Sequence, residues 1–337
     1  MSSSKASPSS SNPIPIYTTT EPLRTLRRQT TLAGQTIGFI PTMGALHTGH
    51  LSLITDAAPH HRVLVVSIFI NPAQFAPNED LSRYPRTMES DLEGLRSLNA
   101  QLDLQDPTGT ELGRITAVFC PNIPVMYPKG IPLDQALQEG TFVSIDPLGR
   151  KLEGVARPHF IRGVVTICTK LFNIVQPDAA YFGQKDIQQT IALKSLVRDL
   201  HFPIKIVVCP TMRDPVDGIA LSSRNLLLGE TRREYSACLY QALQTGRRVY
   251  EEGLQKGGVE AREILSAATM AMREFVDNGR VEIDYISLAE GEELEEFGPE
   301  EKVGRERGEG AVLSGAVKIL PQERGQGVVR LIDNLIL

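Results

Sequence analysis

The stretch "PTMGALHTGH", Pro41 to His50, decides how the rest of the chain is read. Before it, "TIGFIP" has the apolar run of a buried strand; after it, "LSLITDAA" begins a helix. Strand, glycine-containing turn and helix form a nucleotide-binding layout common in α/β proteins. The glycines let backbone approach a phosphate, and the helix N-terminus presents free N–H groups with partial positive charge. His47 and His50 are three residues apart, so a helical turn puts them on one face.

Working outward, "RVLVVSIFI", "TAVFCP", "DAAYFG" and "IKIVVCP" read as further buried strands, each bounded by glycine, proline or asparagine. Between them "TMESDLEGLRSLNA", "VVTICTKLFNIV" and "QQTIALKSLVRDL" have helical spacing. This alternation predicts an α/β fold: a Rossmann-like, doubly wound parallel sheet with helices on both faces. Ligands then collect where strands end and helices begin. After about Leu228 two amphipathic helices are expected in "TRREYSACLYQALQTGRRVYEEG" and "GVEAREILSAATMAMREFVDNG", followed by strands in "VEIDYISLAE", "AVLSGAVKIL" and "GVVRLIDNLIL". The predicted organisation is a disordered tail over residues 1–13, a Rossmann-like domain over 14–228 and a smaller α/β domain over 229–337. "GEELEEFGPEEKVGRERGEG", near 290–310, reads as a charged exposed loop, and "DLQDPTGTELGRI" as another.

With 337 residues the chain can bury a large core, and its 41% hydrophobic and 22% charged content is that of a soluble globular protein. A net charge of −5 argues against a nucleic-acid binder. Cys120, Cys168, Cys209 and Cys238 form no CxxC pair, which favours reduced thiols and a cytoplasmic location over a disulfide framework or a zinc site. No apolar run is long enough to span a bilayer. The serine-rich start, with Arg24, Arg27 and Arg28 following, reads as a short tail rather than a transit peptide, because Pro13 and Pro15 break any early amphipathic helix.

Four constellations carry chemistry. His47 and His50 can donate to phosphate oxygens and gain charge as negative charge accumulates there. In "FINPAQF", Asn71 and Pro72 end a strand and place Gln74 where ligands bind, although the same residues also suit an ordinary turn. In "YFGQKDIQQ", Gly183 ends a strand; Lys185 suits phosphate and Asp186 a ribose diol, while only one of Gln188 and Gln189 can face a ligand. In "DGIALSSRN", Ser222, Ser223 and Arg224 could clamp phosphates or simply cap a helix. His60 and His61 are expected to be structural or exposed.

"PTMGALHTGHLSL", "SIFINPAQF", "RYPRT", "KLFNIVQPD", "YFGQKDIQQ" and "LSSRN", in this order, resemble the pantothenate synthetase (pantoate–β-alanine ligase) family. The resemblance runs from about Ile14 to "RLIDN"; the HxGH element alone would indicate only the wider nucleotidyltransferase superfamily. The family implies that pantoate and ATP give pantoyl adenylate and pyrophosphate, after which β-alanine displaces AMP. It further implies an ATP site drawn from Met43, His47, His50, Gly183, Lys185, Asp186, Met212, Leu221, Ser222, Ser223 and Arg224, with His47, His50, Lys185 and Arg224 the catalytic groups. Gln74 and Gln189 would hold pantoate, Gln74 would also meet β-alanine, and Mg2+ would accompany ATP, with Asp91 helping to position it. A homodimer formed through the first domain and a C-terminal lid are implied as well.

The sequence departs from the family pattern in places. "RPHFIRG" displaces His159 by one position, so it takes no role; "RDPVDG" has an extra residue, which bears on Met212; and the segments near Thr108 and Glu300 look like insertions. Two other readings stand beside the ligase: a different adenylyl-transferring enzyme of the superfamily, and a non-catalytic nucleotide-binding protein.

Overall fold

The computed structural model describes residues 13–76, 81–304 and 310–337. The expected tail, apart from Pro13, and residues 305–309 of the charged stretch lie outside these.

In chain order the elements are β1 (Ile16–Tyr17), α1 (Thr20–Leu32), β2 (Ile37–Thr42), α2 (Thr48–Ala57), β3 (Val63–Ile68), α3 (Met88–Gln105), β4 (Arg114–Phe119), α4 (Ile123–Met126), α5 (Glu153–Ala156), α6 (Phe160–Val175), β5 (Ala179–Gly183), α7 (Ile187–Asp199) and β6 (Lys205–Cys209). There follow α8 (Gly229–Arg233), α9 (Cys238–Leu254), β7 (Val259–Glu260), α10 (Ala261–Ala271), α11 (Arg273–Asp277), β8 (Val281–Glu290), β9 (Lys302–Val303), β10 (Ala311–Ile319) and β11 (Val329–Ile336).

Strands β1 to β6 form one parallel sheet in the order β1-β4-β3-β2-β5-β6. Its strands are apolar on both faces because both are covered. Phe39 and Val65 join a core with Leu23 of α1, α6 and α7, whereas Ile40, Leu64 and Val66 join a second core with α2 and α3. Each such fully buried side chain contributes about 1.5–3 kcal/mol, so these period-two runs hold the sheet between its two helical layers. The chain winds outward in opposite directions from β2 and β5, which places the topological switch point between them.

That seam is unusual in length. β2 pairs with β3 over six residues, Ile37 to Thr42, but with β5 only at Gly38–Ala179 and Phe39–Ala180. Beyond Phe39 the two strands are no longer paired, so their C-terminal ends at Thr42 and Gly183 form the crevice of the switch point. The closed end is fastened by Asp178, whose carboxylate accepts from the Ile37 N–H (2.7 Å) and from Arg27 of α1 (2.6 Å). Neither α1 nor β1 is expected from the sequence; Arg27 belongs to this brace.

The C-terminal domain is an antiparallel three-stranded sheet, β11-β10-β8, covered by α9 and α10 around a core that includes Leu239, Leu243, Ile264, Leu313 and Val317. Both long helices expected here are interrupted: α8 ends before α9 begins, and α10 gives way to α11 at Met272. The charged stretch is less exposed than its composition suggests. Leu294 and Phe297 are buried, and Lys302–Val303 pairs with Val259–Glu260.

Candidate active site

The turn after β2 is held from beneath. Asp91, at the start of α3 and 4% exposed, accepts from the Ala45 and Leu46 N–H groups (3.0 and 2.8 Å) and from the Thr87 hydroxyl (3.1 Å). Gly44 has φ +83°, a conformation that favours glycine, and a Cβ there would press on the Asp91 carboxylate at 3.1 Å and on Ile68 at 3.2 Å. Asp91 therefore braces the turn through both its oxygens.

His47 is not within the helical turn but caps it, with extended backbone (φ −131°, ψ 174°). Its Nδ1 accepts from the Gly49 N–H (3.1 Å), while Nδ1 of His50 accepts from the His47 N–H (3.4 Å). The ring centroids come within 4.1 Å of each other. Because both Nδ1 atoms accept, each neutral ring carries its proton on Nε2 and can donate it outward. Burial, reinforced by Lys185, lowers the His47 pKa against the opposing field of Asp186. Burial and then His47 lower that of His50 to about 3. Near neutral pH the site thus holds neutral imidazoles as N–H donors, where the sequence suggested rings ready to gain charge. Like-charge neighbours and desolvation are the reason.

Across the crevice, β5 ends at Gly183, a short 3-10 turn spans Gln184–Asp186, and α7 starts at Ile187. Lys185, its side chain 16% exposed, stands 3.7 Å from Asp186, and both are close enough to bias the two histidines. Gln188 is buried and fully used: its Oε1 accepts from the Glu153 N–H, and its Nε2 donates to the Leu148 and Lys151 carbonyls. Gln189 remains half-buried at the cavity wall.

Gln74 follows β3, on the other side of the histidine turn from Lys185. Asn71 donates to Gln74 Oε1 (2.9 Å) and to the Gly163 carbonyl (3.0 Å), while Tyr127 donates to Asn71 Oδ1 (2.7 Å). This leaves the NH2 of Gln74 as the half it can offer a ligand. α6 passes so close that a Cβ on Gly163 would fall 2.3 Å from the Ala73 carbonyl oxygen.

The third wall is the hairpin-like segment from Met212 to Leu221, closed by the Arg213–Ala220 bridge and by Leu221 N–H donating to the Met212 carbonyl (2.9 Å). Met212 lies beside the histidine turn, its Cβ 3.8 Å from where a Cβ on Gly49 would sit. Ser222 then caps a short turn by accepting from the Arg224 N–H (3.3 Å). Tyr84, in "RYPRT", reaches this segment: burial raises its hydroxyl pKa against the nearby Arg224 and a hydrogen bond with Ser223. Two cavities share Lys185 in their walls. Ser222 and Arg224 line the first; Asp186 and Gln189 line the second.

The fold thus brings His47 and His50 near Lys185 and Asp186 and beside Met212, while Lys185 also lines one cavity with Ser222 and Arg224 and a second with Asp186 and Gln189; the histidines line neither cavity. Met43 lies half-buried just after β2, at the start of the histidine turn. Sequence reasoning missed Tyr84, Asn71 as the partner of Gln74, and the last-strand pair Asp333–Asn334. "RYPRT" and "RLIDN" stand out as motifs, but their contacts are too distant in sequence to be read from spacing.

The Pantoate-beta-alanine ligase family profile matches residues 15–336. The chain belongs to the pantoate–β-alanine ligase family. It is 42% identical over 314 residues to the Saccharomyces cerevisiae pantoate–β-alanine ligase, covering 93% of this chain and 96% of that one. The pantothenate synthetase of Roseiflexus castenholzii is 40% identical over 302 residues, covering 89% and 92%. Among solved structures, pantothenate synthetase from Thermus thermophilus superposes with a TM-score of 0.75 at 34% identity, covering 96% and 99%. The Francisella tularensis pantoate–β-alanine ligase, crystallised with "Beta-gamma ATP and Beta-alanine", gives 0.66 at 29% identity, covering 96% and 97%. The activity that goes with membership is ATP-dependent ligation of pantoate to β-alanine, giving pantothenate. Family membership sets aside both alternative readings of the sequence.

Proposed function

We propose that the ligase works in two steps through pantoyl adenylate, with His47 and His50 donating Nε2–H to the reacting phosphates. The observation that carries this reading is the pair of neutral, Nδ1-accepting imidazoles at a helix N-terminus, facing Lys185 across the switch-point crevice. A pantoate carboxylate oxygen attacks the α-phosphorus of ATP, and the α–β phosphoanhydride bond breaks to release pyrophosphate. Negative charge grows on the bridging and leaving oxygens, where preorganised N–H donors lower the barrier. Lys185 and Arg224 supply positive charge to the phosphates, Ser222 and Ser223 hydroxyl donors, and Asp186 an acceptor for the ribose diol. Met43, Gly183, Met212 and Leu221 complete the ATP surface. Gln74 and Gln189 hold pantoate, and Gln74 also meets β-alanine. The β-alanine amine then attacks the acyl carbon, the C–O bond to AMP breaks, and the nitrogen loses a proton.

Mg2+ fits as an ion carried in on the triphosphate. Among the described residues no three His, Cys, Asp or Glu side chains gather into a cage, and Mg2+ commonly keeps water and phosphate oxygens beside one or two carboxylates. Asp186 is the carboxylate next to Lys185. When bound, the ion offsets charge on the leaving pyrophosphate.

The same reading includes a boundary at Leu228/Gly229 between an ATP- and pantoate-binding domain and a lid, a homodimer formed through the first domain, and a cytoplasmic location without nucleic-acid or membrane partners. No helix among the described residues is long and apolar enough to cross a membrane. Closure of the lid would exclude water from a hydrolysable adenylate. The test is pyrophosphate exchange into ATP with Mg2+, without β-alanine. Exchange that depends on pantoate is the expected result; none from folded, ATP-binding protein would overturn the two-step reading.

A further inference from the structure

The last strand reaches the phosphate-facing groups from the C-terminal side. On β11, Asn334 is 1% exposed and donates both Nδ2 protons to backbone carbonyls of the 3-10 turn, Gln184 and Lys185, each at 2.9 Å. Its Oδ1 accepts from Gln184 Nε2 (3.1 Å). One side chain thereby satisfies two carbonyls and one amide on the turn that carries Lys185. Its neighbour Asp333, 5% exposed and on the opposite face of the strand, takes Arg213 in a two-point ion pair (2.6 and 2.9 Å). Arg213 also donates to the Gly218 carbonyl and stacks over Tyr240, 3.8 Å from the ring centre. It is the residue that bridges to Ala220 and so closes the segment between Met212 and Ser222.

Two consecutive residues thus grip two separate walls of the crevice. Asn334 grips the turn of Lys185, and Asp333 grips the segment that ends in the Ser222–Arg224 cluster. No other contact described above joins those walls through a single short piece of backbone. We infer that Asp333 and Asn334 are positioning residues, which set Lys185 and the Ser222–Arg224 cluster at the spacing that adenylate formation requires. The C-terminal domain is then part of the alignment of the site as well as its cover. Lys185 is in register only while β11 is docked against its turn, and undocking β11 releases both walls together.

This inference rests on the two-step reading, and pyrophosphate exchange separates the two. Wild-type protein that fails to exchange would remove the two-step reading, whatever the variants do. With wild-type exchange established, Asn334→Ala is expected to lower the maximal exchange rate on the order of tenfold to a hundredfold, the scale of a misplacement of about 1 Å. KM for pantoate should stay within about twofold, because Gln74 and Gln189 are untouched. Asn334→Asp, which sets a carboxylate against two carbonyl oxygens, should lose at least as much as alanine. Asn334 variants that exchange at the wild-type rate, or whose loss appears only where thermal unfolding overlaps the assay temperature, overturn the proposal. Should the Asn334 variants not fold, Gln184→Ala removes only one of the three hydrogen bonds. It must still lower the exchange rate severalfold with Tm nearly unchanged, and wild-type exchange in that variant is equally fatal. A double-mutant cycle between Gln184→Ala and Asp333→Asn should show coupling in the exchange rate, and strict additivity would mean that the two walls are held independently.

Discussion

At the scale of the residue, His50 is the group whose protonation the fold controls most strongly. Its folded pKa of about 3 lies below the ordinary 6.5, so between those values the unfolded chain binds a proton that the folded chain does not. Stability therefore rises with pH through that window, is fully present above pH 6.5, and is lost as pH falls toward 3. Urea unfolding of His50→Gln between pH 4 and 7 should show a flatter acid limb than the wild type. His50→Ala, which leaves no side-chain donor at this position, should under the proposed function slow pyrophosphate exchange about a hundredfold, as loss of one transition-state donor does elsewhere. Asp91 gives a second test at this scale. As a brace its loss cannot be repaired by metal: Asp91→Asn should reduce exchange and lower Tm, and titrating Mg2+ upward should restore neither. Recovery at high Mg2+ would return Asp91 to the ion.

At the scale of the element, the decisive contact is α6 against the "NPAQF" turn. A Cβ on Gly163 would collide with the Ala73 carbonyl and, at 2.7 Å, with the Gln74 N–H nitrogen. Neither neighbour is the tip of a flexible side chain, so the turn itself must shift. Gly163→Ala should cost roughly 1–3 kcal/mol, as overpacking of a close contact does, and raise KM for pantoate because Gln74 moves with its backbone. Chemical denaturation and initial-rate kinetics would read the two effects separately. This packing also marks what could be read in advance. The strands β2 to β6 and the helices after them were legible because their apolar residues are local and periodic, and the histidine turn because glycine and histidine are uncommon together at such a junction. α1 was not, since its apolar stripe is thin and the partner of Arg27 lies 151 residues away at Asp178. Of the adjacent Gln188 and Gln189, the one whose amide the protein itself takes up, Gln188, is fixed by the Leu148 and Lys151 carbonyls, outside the motif. Leu294 and Phe297 were hidden in a charged stretch whose average masked two buried anchors. The grip of Asn334 on the Lys185 turn spans 149 residues and leaves no periodic signal.

At the scale of the whole molecule, the two domains are joined by an ion cluster. Arg330 of β11 meets the buried Glu153 through two hydrogen bonds (2.6 and 2.8 Å) and Asp284 through a third (2.8 Å), while Tyr285 donates to Glu153 (3.1 Å). Nearby, Lys151 donates to the Glu293 carbonyl and pairs with Glu295. Removing one member of a buried pair strands the other, so Glu153→Gln or Arg330→Met alone should destabilise by about 3–5 kcal/mol. The double variant should be milder than the sum of the two, because Glu153 and Arg330 then lose their charges together and Asp284 keeps Lys318 at 3.9 Å. Thermal unfolding of the three proteins decides this, and strict additivity would mean that the pair does not act as a unit.

The short seam between β2 and β5 has a mechanical consequence. Strands fastened at one end and parted at the other behave as a pair of tweezers, with the pivot at Gly38–Ala179 and the tips at the histidine turn and the Lys185 turn. Small angular changes at the pivot are magnified at the tips. Arg27 and Asp178 sit behind that pivot, bonded to each other and to the start of β2. Mutational surveys scored by growth on limiting pantothenate would therefore find sensitive positions on the side of the sheet opposite the chemistry, in residues that an inspection of the crevice alone would pass over.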